Sequence, residues 1–185
     1  MADLHPEISA DLADWIGRQK IFFAATAAPE GLVNVSPRST KQFRVTGAHE
    51  VCWLSMLGSG NETAAHLRLS PRATVMFCAF EGPPRILRLY GEAENLYAGS
   101  AGYAAALAAH FDGEAPRSAR QIIRLRVERV QTSCGYGVPL FDYKDDRPNL
   151  QRWADAKSDD ELTTYLRERN AVSFDGFDTG LPAET

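Results

Sequence analysis

From Arg120 to Val130 the chain carries its longest clean alternation, with Ile123, Leu125 and Val127 interleaved with Arg124, Arg126 and Glu128. A period of two places successive side chains on opposite faces, so this segment reads as a half-buried strand. Ile123, Leu125 and Val127 are expected to face a core. Arg124, Arg126 and Glu128 should face water, a partner, or each other across strands. One such strand cannot stand alone, and the rest of the chain supplies neighbours. Ile21 to Thr26 is β-rich, Pro29-Glu30-Gly31 has turn chemistry, and Leu32 to Ser36 resumes alternation, which together predict a hairpin. Further strands are expected at Phe43–Thr46 and Val51–Met56, then over the apolar run Ala73–Phe80, which suits burial on both faces. After the turn Gly82-Pro83-Pro84 comes another, Ile86–Tyr90.

Helical signals fall between these strands and after them. Ile8, Leu12, Trp15 and Ile16 lie at helical spacing over Ile8–Gln19, with Ser9 as a cap. Glu62–Leu69 is helical in pattern and must stop before Pro71, and Ala101–Phe111 is Ala-rich. Beyond Gly135 the character shifts to Pro139, Pro148 and two helical segments, Asn149–Lys157 and Asp159–Arg169. The last fifteen residues lack periodicity and are expected to lie across a partner subunit or be disordered. Six or seven short strands with interspersed helices argue for a barrel or curled sheet rather than βαβ units. The reading is a mainly β (α+β) fold over 1–140, with a C-terminal helical extension over 141–185 belonging to the same domain. At 185 residues the chain can bury one adequate core without disulfides or a structural metal.

Composition narrows the function. A net charge of -4 leaves no basic footprint for nucleic acid. Cys52, Cys78 and Cys134 form no CxxC pair and leave one over, so a reducing cytoplasm is expected, with Cys134 read as a buried structural residue. The acidic opening, with Asp3, Glu7, Asp11 and Asp14, is unlike a secretory signal, and no apolar run approaches the ~18 residues of a membrane span. His5, His49, His66 and His110 are scattered without Cys or acidic neighbours at ligand spacing, so no metal is expected.

Of the segments that could carry chemistry, Gly58-Ser59-Gly60-Asn61-Glu62-Thr63 stands out, lying between a strand and a helix. Glycines let backbone amides turn to an anion, hydroxyls add donors, and the helix begins with unsatisfied N–H groups. The same residues also suit an ordinary capped turn. Arg38, at the end of Val35-Ser36-Pro37-Arg38, is placed to reach a phosphate held there or to lie exposed at a strand end. Arg85 and Arg88 fall on opposite faces of a regular strand, so one is expected to point inward or toward a neighbour and to need an anionic partner.

Taken in order, Phe22–Thr26, Val33–Arg38, Gly58–Thr63, Met76–Pro84, Arg85–Gly91 and Val130–Pro139 resemble the pyridoxamine 5′-phosphate oxidase-like family of flavin-binding split barrels, a likeness that runs from about Ile21 to Asn170. The resemblance implies a six-stranded split β-barrel with peripheral helices, paired as a homodimer, with flavin mononucleotide (FMN) in a groove between subunits. It assigns Arg38, Ser59, Asn61 and Thr63 to the phosphate and puts the flavin ring near Arg88. Tyr136 or Trp153 would reach the ring from the other subunit, and Arg88 or Arg44 would stabilise the reduced ring. The groove would be shaped by Phe43, Phe80 and Tyr90.

Two departures mark a divergent member. The better-known oxidases carry a basic residue where this chain has Glu62, a carboxylate that must turn away from a phosphate. They also end in an Arg-x-His arrangement that holds the substrate phosphate, whereas no His follows His110 here. The expectation is an FMN-dependent oxidoreductase of unidentified small-molecule substrate, not pyridoxamine phosphate oxidation. The rival readings are a non-catalytic binder of flavin, haem or deazaflavin, and a dimeric interaction protein with a decayed flavin site.

Overall fold

A computed structural model describes residues 2–181. Its strands form one eight-stranded sheet in the order β3-β2-β6-β7-β8-β5-β4, with β1 added on β8. They are β1 (Ala2–His5), β2 (Ile21–Thr26), β3 (Asn34–Ser39), β4 (Phe43–Gly47), β5 (Glu50–Met56), β6 (Arg72–Cys78), β7 (Ile86–Tyr97) and β8 (Ala119–Ser133). Every pairing is antiparallel. The sheet curls until its two ends meet: Phe22 on β2 lies 4.8 Å, ring to ring, from Phe43 on β4, and both pack on Phe77 of β6. Trp53 of β5 stacks on Phe43 and is 1 % exposed, so the aromatic cluster is the core around which the barrel closes.

The central alternation behaves as its pattern requires. Ile123, Leu125 and Val127 are buried, while Arg124 pairs with Glu94 at 2.6 Å and Arg126 with Glu92 at 2.7 Å on β7 next door. Ile122 faces the other way and is also buried, in a second cluster with Leu54, Leu96 and Phe111 beneath helix α3 (Ala101–His110). β1 is the strand that the sequence pattern does not announce, because Ala2, Asp3 and Leu4 are exposed, Leu4 to 70 %.

Helix α1 (Ala10–Arg18) begins where Ser9 accepts the Leu12 N–H, and it buries Leu12, Trp15 and Ile16 against the barrel. Three such side chains contribute on the order of 1.5–3 kcal/mol each. Helix α2 (Glu62–Leu69) follows β5, and α4 (Asn149–Asp155) and α5 (Asp159–Asn170) pack Ala154 and Leu162 on Leu57. α5 opens with a Ser158–Glu161 capping box. Among the described residues no helix is long and apolar enough to cross a membrane.

The expectation for the tail needs correction. Residues 171–181 neither leave the chain nor stay unstructured: Thr179 is fully buried, its hydroxyl donates to the Asn170 carbonyl at 2.7 Å, and its own carbonyl accepts from the Tyr97 hydroxyl at 2.6 Å. Hydrogen bonds rather than an apolar stripe hold this segment, so periodicity could not reveal it. Residues 182–185 lie outside the described part.

Cys134 is also not buried. It is exposed, and backbone N–H groups, that of Tyr136 first, pull its thiol below the ordinary value. Burial pushes Cys52 up to about 12 and raises Cys78. Because the thiolate is the nucleophile, iodoacetamide should modify Cys134 alone in the folded protein, at a rate that rises with pH through a midpoint below the usual thiol range. Peptide mapping by mass spectrometry checks this, and modification of Cys52 at a comparable rate would contradict it.

Candidate functional site

The register of the first hairpin sets the site. Phe22 pairs with Arg38, Ala24 with Ser36 and Thr26 with Asn34. Directly opposed residues share a face, so Asn34, Ser36 and Arg38 point the way of the buried Phe22, Ala24 and Thr26. β3 is an end strand of the sheet, and these side chains therefore look across the open side of the barrel toward the Gly58–Gly60 loop and the start of α2. Between them lies a cavity of about 750 Å³ whose polar lining includes Ser36, Arg38, Ser59, Glu62, Thr63 and Arg120.

Two arginines dominate it. Arg120 is 5 % exposed and donates from one Nη to the Gly60 carbonyl at 2.8 Å and to Asn170 Oδ1 at 2.6 Å, while its Nε is buried without a partner. Arg38 is half-buried, its Nε is buried without a partner, and its side chain makes no hydrogen bond or ion pair among the described residues. Burial lowers the guanidinium of Arg120, and the positive Arg38 lowers it further; burial lowers Arg38 as well. Two half-satisfied cations converging on one cavity need an anion between them. Around them, Thr63 Oγ1 accepts from Asn34 Nδ2 at 3.2 Å, which leaves its hydroxyl proton available, and Ser59 adds a second hydroxyl to the lining.

Glu62 lines the same cavity, and its charge offsets part of the burial penalty on Arg120. Both its carboxylate oxygens accept the Phe174 N–H, at 3.1 Å each, so its charge is held by the returning tail.

The structure thus gathers Arg38, Ser59 and Thr63 on one cavity and places Asn61 and Arg88 elsewhere on the chain. Asn61 is buried and forms a reciprocal amide pair with Gln121, at 3.3 and 3.1 Å, between α2 and β8. Arg88 lies on the outer face of β7 between Met76 and Gln131, with Ser133 Oγ at 3.4 Å, and lines neither cavity. Neither Arg85 nor Arg88 enters the barrel, because Leu87 and Leu89 take the inner face; Arg85 instead covers the Trp15 ring at 5.5 Å. Arg44 is a strut, donating to the carbonyls of Lys41, Phe43 and His110. Phe43 is core, Tyr90 bonds Gln131 on the outer face, and Trp153 packs on Tyr165. Tyr136 is 83 % exposed. Phe80 lines a second cavity of about 980 Å³ beyond Pro37–Ser39.

Arg120 is the residue that sequence reasoning overlooks. It stands at the head of the alternating strand and reads as one more outward arginine. The sole cue is parity: it lies on the face opposite Ile123, the face that turns from solvent to α2 and α5 at this end of β8.

Residues 8–134 match the family model described as pyridoxamine 5′-phosphate oxidase. A curated relative, the pyridoxamine 5′-phosphate oxidase family protein ustO of Aspergillus flavus, is 35% identical over 192 residues, covering 95% of this chain and 77% of that protein. Among solved structures, HupZ of Group A Streptococcus superposes with a TM-score of 0.53 at 20% identity, over 66% of this chain and 91% of that one. A pyridoxamine 5′-phosphate oxidase-like protein of Lactobacillus delbrueckii gives 0.51 at 12% identity, over 68% and 94%. The structural likenesses speak for the fold, and the sequence matches for descent: the chain belongs to the pyridoxamine 5′-phosphate oxidase family.

Proposed function

We propose that this protein is an FMN-dependent oxidoreductase that works as a homodimer, with the flavin phosphate seated between Arg38 and Arg120. The observation that carries the reading is a pair of guanidiniums, Arg120 buried and Arg38 half-buried, each with an unpartnered Nε, converging on a cavity whose carboxylate, Glu62, is occupied by the Phe174 amide. The donor set fits a phosphate: two arginine forks, the Ser59 and Thr63 hydroxyls, and the first amides of α2. FMN, when bound, supplies hydride transfer at its N5. The chain's own residues hold the anion, fix its orientation and keep Glu62 from opposing it. A second copy would cover the outer face of β2, β3 and β6, where Val33 and Val35 are 71 % and 58 % exposed beside the half-buried Phe23 and Met76.

The experiment is the visible absorption spectrum of the purified protein, with the chromophore released by heat and identified by mass. One FMN per chain and a dimeric mass by light scattering are expected. A colourless protein that takes up no added FMN would overturn the reading. A flavin that no nicotinamide donor or substrate reduces would leave a carrier in place of an enzyme.

A further inference from the structure

The cavity on the other side of Pro37–Ser39 opens between the end of α1, the β6–β7 loop and the extended segment 141–147. Its volume of about 980 Å³ is at the upper end of the ~300–1,000 Å³ usual for small-molecule sites. Trp15, Phe80, Phe141 and Tyr143 supply aromatic walls, with the Phe80 and Phe141 rings in contact at 5.4 Å.

The charges around it are unevenly committed. Asp146 is held by Lys41 at 2.7 Å, Ser39 at 3.1 Å and the Tyr143 hydroxyl at 2.8 Å. Glu81 accepts the Tyr143 N–H at 3.0 Å, and Asp145 accepts the Asp146 N–H at 2.7 Å. The cations are not consumed in this way. Lys20 sits 5.3 Å over the Tyr143 ring and Arg85 5.5 Å over the Trp15 ring, and neither has a carboxylate partner among the described residues. Arg18, Lys144 and Arg147 likewise make no ion pair among the described residues. Arg38 lines this cavity as well as the first. With the exposed Asp142, four acidic side chains face six basic ones, Arg18, Lys20, Arg38, Arg85, Lys144 and Arg147, and Asp146 is already committed to Lys41, so the space keeps a net positive charge beside its ring surface.

We propose that this cavity binds a second ligand beside the phosphate pocket: an aromatic molecule carrying a carboxylate or phosphate. Its ring lies against Phe80 and Phe141, and its anion meets Lys20 and Arg85. The binding site stands on its own geometry and needs the flavin reading only for what its neighbour holds.

Isothermal titration with naphthalene-2-carboxylate, 2-naphthyl phosphate and the neutral naphthalene-2-carboxamide tests it, on the protein as purified and after saturation with FMN. One of the anions should bind at least tenfold more tightly than the carboxamide, and the tighter one identifies the anionic group. The double substitution Lys20→Ala, Arg85→Ala should weaken that anion at least tenfold while leaving the melting temperature and FMN content unchanged. Equal binding of the neutral probe, no binding of any probe, or an unchanged affinity in the double variant would overturn the proposal. Because FMN uptake is scored separately, loss of probe binding alone leaves the flavin reading intact, and loss of flavin alone leaves this site intact.

Discussion

Arg38→Met is expected to make the flavin-free protein more stable and to weaken FMN binding by roughly 100-fold. The two effects have one cause. Without a ligand, Arg38 faces Arg120 across the cavity with its Nε unpartnered. Replacing an uncompensated, partly buried charge by an apolar side chain of similar length is neutral to stabilising, here by about 1 kcal/mol once solvent access is allowed for. With phosphate present, the same guanidinium makes charge-assisted hydrogen bonds of about 1.5–3 kcal/mol each, and losing it accounts for the affinity. Arg120→Met should differ in sign for the flavin-free protein, because it strips the partners from the Gly60 carbonyl and Asn170 Oδ1. Thermal melts with and without FMN, together with flavin fluorescence titration, measure both quantities. An Arg38→Met protein that melts lower without ligand yet binds FMN unchanged would show that the arginine is structural and the phosphate lies elsewhere.

The largest loss of stability is expected from Gly91→Ala. β7 changes register against β8 between Tyr90 and Gly91, and at that bulge a Cβ on residue 91 would stand 1.9 Å from the Arg126 carbonyl oxygen and 3.2 Å from the Glu128 amide. Both are backbone atoms of the central strand, so relief requires moving the ladder that holds Ile123, Leu125 and Val127 in the core. One added methyl in a packed interior costs about 1–3 kcal/mol when side chains can shift, and a clash with backbone exceeds that, so a loss of at least ~3 kcal/mol is expected in urea unfolding. Gly47→Ala is the control, since a methyl there would meet nothing within 4 Å, and it should stay within about 0.5 kcal/mol. If the two alanine variants unfold alike, the bulge is not a constraint.

Much of the barrel is legible in the sequence because it rests on short-range signals. Alternation over 120–130, the breaks at Gly58–Gly60 and Gly82–Pro84, and the Ser9 cap each fix a local conformation without reference to the rest of the chain. β1 is not legible, because an exposed edge strand buries nothing. The site is half legible for the same kind of reason. Arg38, Ser59 and Thr63 can be placed from a strand end and a glycine loop. Asn61 has the composition of a ligand, but Gln121, 60 positions away, captures its amide. Arg120 is hidden because its inward turn depends on α5 and the Gly60 carbonyl, which no window around residue 120 contains. Arg88 turns to the outer face of β7 because the neighbouring leucines claim the barrel interior.

The tail's contacts carry a consequence for the order of events during synthesis. Its Phe174 amide ties down Glu62 on one lip of the phosphate pocket, and Asp175 accepts the Leu32 N–H at 2.8 Å on the other. Glu62 and Phe174 are 112 positions apart. At ~5–20 residues per second on the ribosome, the lips stay untied for on the order of 10 s after the loop has been made. From the time Arg120 has been made until Phe174 follows, Glu62 is free to swing toward the two arginines and neutralise them from within. A nascent chain therefore carries its own competitor for the anion, and the segment around Phe174, made 112 positions later, is the one that takes that competitor away.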